Sequence, residues 1–124
     1  DLIEKYHNSL DQLEEILNLN LRDRLKYVEK LQRAKGQARE NYSFLIATWL
    51  TFWRDVLICS EGGEVPLVNL EKEDQIQHTA AGLNPQKIAS ILKRHEEALT
   101  MLDQYVNSRL ILENLLLDLP RLES

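Results

Sequence analysis

The chain has 124 residues, of which 44% are hydrophobic and 28% charged, the balance of one globular domain large enough to bury a core. Its formal net charge of −5 at pH 7 argues against electrostatic binding of nucleic acid by the chain as a whole. A single cysteine excludes an internal disulfide framework and fits a reducing cytoplasm.

Four glycines and three prolines leave little material for turns, and almost no run alternates apolar with polar residues at strand length. The expectation is an all-α bundle of about six helices, forming one domain over 1–124. No secretory signal or lipidation motif is present. The chain begins at Asp1 rather than Met and ends soon after Pro120, so it reads as a C-terminal piece of a longer protein.

Residues 2–18 place Leu2/Ile3, Tyr6, Leu10, Leu13 and Ile16/Leu17 on one face of a first amphipathic helix. Asn20 is a good N-cap for a second helix over 21–35, where Leu21, Leu25, Val28 and Leu31 form a narrow stripe. The other sides of that helix carry Arg22, Arg24, Lys26, Lys30 and Arg33, a candidate basic face. Residues 20–39 hold seven Lys/Arg against two Asp/Glu. A solvated face is the plain reading of such a charge run, and contact with phosphates or an acidic protein is the sharper one. A short break is expected near Gly36.

A third helix over 39–60 contains YSFLIATWLTFWRDVLIC, with both tryptophans, both phenylalanines and the cysteine. Tyr42, Leu45, Trp49, Phe52, Trp53 and Val56 share one side, yet Phe44, Ile46, Leu50, Leu57 and Ile58 cover most of the remainder. A helix apolar nearly all round is central in its domain or is covered by a partner. A bilayer span is disfavoured, because Arg54 and Asp55 interrupt the run. That pair is either a local surface pair or a device that orients a neighbouring element.

Gly62–Gly63 ends this helix, and Pro66 forces an extended stretch. A fourth helix over 71–81 starts with Glu71, Glu73 and Asp74, where the helix dipole favours acids. Asn84–Pro85 then opens a fifth helix over 86–105, with Ile88, Ile91/Leu92, His95, Leu99, Leu102 and Tyr105/Val106 as its stripe. The sixth, over 108–119, starts at Asn107 or Ser108 and ends before Pro120. It carries Leu and Ile on most sides. The apolar faces of the third and sixth helices exceed what a bundle this small should enclose, which argues for association with other chains.

No phosphate loop, dinucleotide fingerprint, zinc-protease or nucleophile-elbow motif is present. His7, His78 and His95 lack metal-ligand spacing, and Cys59 reads as a small buried hydrophobe. Glu61, Glu64, Glu71, Glu73 and Asp74 have no metal-loop spacing and read as a solvated acidic loop. No cofactor, metal or catalytic constellation is expected, and the chain is not expected to be an enzyme.

Two stretches carry a resemblance. WLTFWRDVLICSEGGEVPLVN (49–69) and MLDQYVNSRLILENLLLDLP (101–120) resemble parts of the C-terminal domain of bacterial DNA polymerase III clamp-loader subunits, delta-prime most closely and gamma/tau next. Tyr105 stands where the family pattern has Asn. The resemblance implies a collar domain of a longer AAA+ subunit. Such a domain packs with its counterparts into a pentamer during DNA replication, without nucleotide or chemistry of its own, and DNA is contacted only through the full ATP-dependent complex.

On that reading Trp49, Trp53, Arg54 and Asp55 of the third helix are candidate interface residues. So are Arg109, Leu110, Leu112, Glu113, Leu116 and Leu117 of the sixth. An alternative from another class is a ligand-binding and dimerisation domain of a helical transcription regulator. In it Trp49, Phe52 and Trp53 would line a pocket.

Overall fold

The computed structural model describes residues 1–33, 38–62, 64–104 and 107–122. Six α-helices occupy most of them: α1 (Leu2–Asn18), α2 (Leu21–Arg33), α3 (Ala38–Ser60), α4 (Glu73–Gly82), α5 (Pro85–Asp103) and α6 (Ser108–Asp118). No strand occurs among the described residues, and the fold is an all-α bundle. The expected break near Gly36, Gly63 of the glycine pair, and the Tyr105/Val106 end of the fifth helix lie outside the described residues.

Four helix starts are set by short polar side chains that accept an otherwise orphaned backbone N–H. Asp1 accepts from Ile3 (3.1 Å), Asn20 from Asp23 (2.8 Å), Asn84 from Lys87 (2.7 Å) and Asn107 from Leu110 (3.2 Å). Each such cap contributes about 1 kcal/mol. Beyond the end of α3, Gly62 takes φ +68°, a left-handed conformation that suits glycine at a helix C-terminus. The expected fourth helix is divided in two. Leu70–Lys72 forms a 3-10 turn closed by Lys72 N–H on the Asn69 carbonyl (3.0 Å), and α4 follows it.

α3 is the centre of the bundle and packs against α1, α4, α5 and α6, while α2 lies along α6. Tyr42, Ile46, Trp49, Phe52, Trp53 and Val56 are all buried. Each tryptophan removes on the order of 200 Å² from water, worth about 5 kcal/mol. Trp49 Nε1–H donates to the Ser9 carbonyl (2.9 Å) and ties α3 to α1. By length and composition alone, Asn41–Ser60 could cross a membrane. The enclosure of its bulky side chains by the other helices is what a soluble core helix shows.

The apolar surplus expected on α3 is largely absent. Leu45 and Leu50 are buried and Phe44, Leu57 and Ile58 half-buried, because four helices surround it. α6 likewise turns Ile111, Leu112, Leu115 and Leu116 inward. What stays outside is specific: Leu110 is 51% and Leu117 37% exposed.

His95 is fully buried beside Trp49 and Trp53, with ring centroids 6.4 and 6.3 Å away. Its Nδ1 lies 2.8 Å from the Ile91 carbonyl. A carbonyl only accepts, so Nδ1 carries the proton and the neutral ring leaves Nε2 as an acceptor. Nε2 and the Trp53 indole N–H are both buried without a hydrogen-bond partner among the described residues. Burial lowers the His95 pKa from 6.5 to about 4, with the Ile91 hydrogen bond opposing that shift.

Below pH 6.5 the unfolded chain therefore takes up a proton that the native fold refuses. Stability is predicted to fall as the pH drops from 6.5 towards 4, by up to about 3 kcal/mol from this residue. Urea unfolding across that range checks it, since a His95→Gln variant should lose this part of the slope. An identical slope in wild type and variant would contradict it.

Candidate protein-interaction surface

The Arg54–Asp55 pair is parted by the helix. Arg54 is exposed, whereas Asp55 is fully buried and offers nothing to a neighbouring chain. Its carboxylate accepts from the Val68 N–H (2.9 Å), the Asn69 N–H (2.8 Å) and the Asn69 side-chain amide (2.9 Å). Asn69 accepts in turn from the Tyr6 hydroxyl and donates to Thr51 Oγ1 (3.2 Å). Asp55 thus belongs to the reading in which a charge orients a neighbouring element: it pins the chain that returns from α3. Lys72 fixes the next turn onto α1 through Asp11 (2.5 Å) and Glu14 (3.2 Å). Tyr6, Asn69 and Lys72 were not legible as partners, because nothing in their spacing links three segments so far apart in sequence.

Arg24 departs from the expected basic face. It is 1% exposed, and its guanidinium donates to four carbonyls: Ile16 (3.1 Å), Leu116 (2.8 Å), Leu119 (2.7 Å) and Pro120 (2.9 Å). The ends of α1 and α6 converge there; the Ile16 and Leu116 carbonyls each accept one backbone N–H as well, from Leu19 (3.0 Å) and Leu119 (3.3 Å), and keep room for a second donor. A planar cation with several donors satisfies them and complements both helix dipoles. Burial, and secondarily the charge of Arg121, pulls its pKa below the ordinary arginine value.

The buried stripe of α2 is consequently Arg24 and Val28, flanked by half-buried Tyr27 and Leu31. Leu21 and Leu25, expected inside, are 56% and 38% exposed. Arg22, Lys26, Lys30 and Arg33 do lie on the surface. Arg33 pairs with Glu29 at 2.7 Å.

Four further candidates are corrected by burial. Trp49, Trp53, Leu112 and Leu116 are fully enclosed by this chain's own helices, so they are core and have no free surface. Arg109 is exposed and meets half-buried Glu113 at 3.4 Å across one helical turn. That pair runs along one side of the outward Leu110 and Leu117, which stand two turns apart on the side of α6 away from its buried stripe. The structure thus brings Arg109, Leu110, Glu113 and Leu117 together, and keeps Arg54 apart from them on α3.

Other chemistry finds little footing. Among the described residues no group of three or more His, Cys, Asp or Glu is placed to hold a metal ion. His7 pairs with Glu71 (3.4 Å), and Cys59 is free and half-buried. Trp49, Phe52 and Trp53 fill the core rather than line a pocket, which removes the basis for the ligand-binding alternative. The groove between α5 and α6, floored by Ala98, Ile111 and Leu115, is edged by the Arg94–Asp118 pair (3.1 Å).

Two substitutions test the polar anchors that hold these surfaces in place. Asp55→Asn presents an amide N–H₂ where at least one backbone N–H needs an acceptor, and should cost about 2–3 kcal/mol. Hydrogen exchange at the Val68 and Asn69 amides should accelerate well beyond the rest of the chain, and unchanged protection would refute the pin. Arg24→Met keeps the bulk but removes one donor from each of four carbonyls, of which only Ile16 and Leu116 keep a backbone N–H, and should cost about 3 kcal/mol in urea unfolding. Arg24→Lys, with a point charge in place of the fork, should fall between. A Met variant within about 0.5 kcal/mol of wild type would refute the capping role.

A family model described as DNA polymerase III, delta subunit, C terminal, matches residues 1–121. No curated protein and no solved structure gives a significant match. The clamp-loader resemblance of 49–69 and 101–120 agrees with this match at the level of the complex, although the family is described by the delta subunit and not by delta-prime or gamma/tau. The match covers nearly the whole chain, and the protein belongs to the family of C-terminal domains of the DNA polymerase III delta subunit, a component of the clamp loader.

Proposed function

We propose that the domain is a non-catalytic oligomerisation module of a longer clamp-loader subunit of the AAA+ type. It packs beside counterpart domains in a collar during DNA replication in the cytoplasm. Among subunits, the wording of 49–69 and 101–120 favours delta-prime. DNA is met only through the assembled complex, and ATP turnover belongs to other parts of it.

The observation that carries this reading is the pair Leu110 and Leu117 on α6. The helix has four apolar residues for the core, Ile111, Leu112, Leu115 and Leu116. It holds two more leucines on its outer side at a spacing of seven, where a second helix can seat against both. Arg109 and Glu113 supply a polar rim beside them. α2, alongside, adds exposed Leu21 and Leu25. Apolar side chains repeated at helical spacing on an outer face mark a surface that is covered in use.

Replacing Leu110 and Leu117 together by Glu should weaken association with the other clamp-loader subunits by about tenfold or more. Thermal stability should stay within about 1 kcal/mol of wild type, because neither side chain is buried. Native mass measurements of the mixed subunits, beside a circular-dichroism melt, read both. Unchanged association would contradict the proposal, as would loss of the fold.

A further inference from the structure

α2 carries a feature that the fold does not use. Arg22, Lys26 and Lys30 stand at successive i+4 positions, so their side chains form one ridge of the helix. All three are exposed, and among the described residues none makes an ion pair. Like charges at this spacing repel one another within a helix. Arg24 and Lys72, by contrast, are each tied to acceptors inside the bundle. The next ridge, directly beside the cations, carries Leu21 and Leu25. A solvated basic face has no use for leucines, and a phosphate backbone offers them nothing to pack on.

The opposite combination lies on the other flank of α1. On one side Tyr27 of α2 donates to Gln12. On the other side Lys72 reaches Asp11 and Glu14, and Glu71 meets His7. There Val65, Val68 and Leu70 are each more than 60% exposed and are flanked by exposed Glu61 and Glu64 on one side and Glu71 on the other. Asp55 holds Val68 and Asn69, in the middle of that edge, through their amides. One fold therefore carries a basic aliphatic edge and an acidic aliphatic edge on separate flanks. Head-to-tail packing needs two such unlike surfaces, whereas a two-fold dimer uses one surface twice.

We propose that the Leu21–Lys30 face of α2 docks the acidic, valine- and leucine-bearing edge of an adjoining protein domain, an edge of the chemistry that residues 61–74 display here. The proposal rests on the oligomerisation reading above and assigns the polarity of the contact: this chain gives cations through α2 and receives them at 61–74. Charge complementarity steers and registers the encounter, and the leucines supply the buried area. The overall charge of −5 works against a polyanion as the occupant and leaves an acidic patch on a protein as the better match.

The test is reconstitution of the clamp loader from this chain and the remaining subunits, with affinity measured at increasing salt. Wild type should associate, and should weaken as salt rises. Arg22→Glu/Lys26→Glu/Lys30→Glu should bind about tenfold or more weakly and lose most of that salt response, with an unchanged melt. If the triple variant does not fold, Arg22→Gln/Lys26→Gln/Lys30→Gln reads the same effect. A variant that assembles like wild type at every salt concentration overturns the α2 proposal and leaves the oligomerisation reading intact. Wild type that binds no subunit overturns both. Salt-sensitive binding of duplex DNA that the triple variant loses, with subunit affinity unchanged, assigns the face to phosphates and also overturns the proposal.

Discussion

Three chain segments end at one place in this bundle, and Arg24 is the group that makes their meeting possible. The last turns of α1 and α6 and the segment after α6 all bring backbone carbonyls to a region closed off from water. Without donors each would carry the desolvation penalty of an unpaired acceptor. One guanidinium reaches four of them, and the Leu122 N–H closes a fifth, on Leu17, at 2.8 Å. Among the described residues the cation has no carboxylate partner. The partial negative ends of two helices stand in for one. Arg24, with buried Val28 beside it, sets the position of α2 and so the direction of the side chains on its outer face.

Asp55 does the reverse at the far side of α3. It is a buried anion met by backbone N–H groups and an amide, with no cation bonded to it among the described residues. Together the two residues fix the two segments that have least apolar material of their own, α2 and the 61–74 connection. α3, α5 and α6 are held chiefly by apolar packing and need no such device. The surfaces available for association are therefore the outward leucines of α6 and the two edges set by these polar anchors. α3, with the bulkiest side chains in the chain, is consumed by the core.

Periodicity and capping residues made most of this architecture legible. Asn20, Asn84–Pro85 and Asn107 mark three helix starts in the sequence, and each accepts the backbone N–H that its position demands. The site was harder to read, for a physical reason. Sequence pattern assigns a residue to a face by its type, and Arg24 and Asp55 are charged residues facing inward. Whether a charge can be buried depends on acceptors and donors from distant segments, here Leu116–Pro120 for one and Val68–Asn69 for the other. Counting Arg24 as surface also shifted the apparent stripe of α2 and drew Leu21 and Leu25 inside. Trp49, Trp53, Leu112 and Leu116 were assigned to an interface because apolar helices suggested excess, and the number of helices around α3 removed that excess. Leu110 and Leu117, on the same pattern, stayed outside.

The central claim is that this bundle is completed by contact with neighbouring clamp-loader domains across its outward leucines and its α2 face. The most direct measurement is the mass of the species formed when the folded chain is mixed with the other subunits at micromolar concentration. A single stoichiometric assembly containing this chain is the predicted result. A folded chain that remains alone, while the other subunits assemble with one another, would contradict the account.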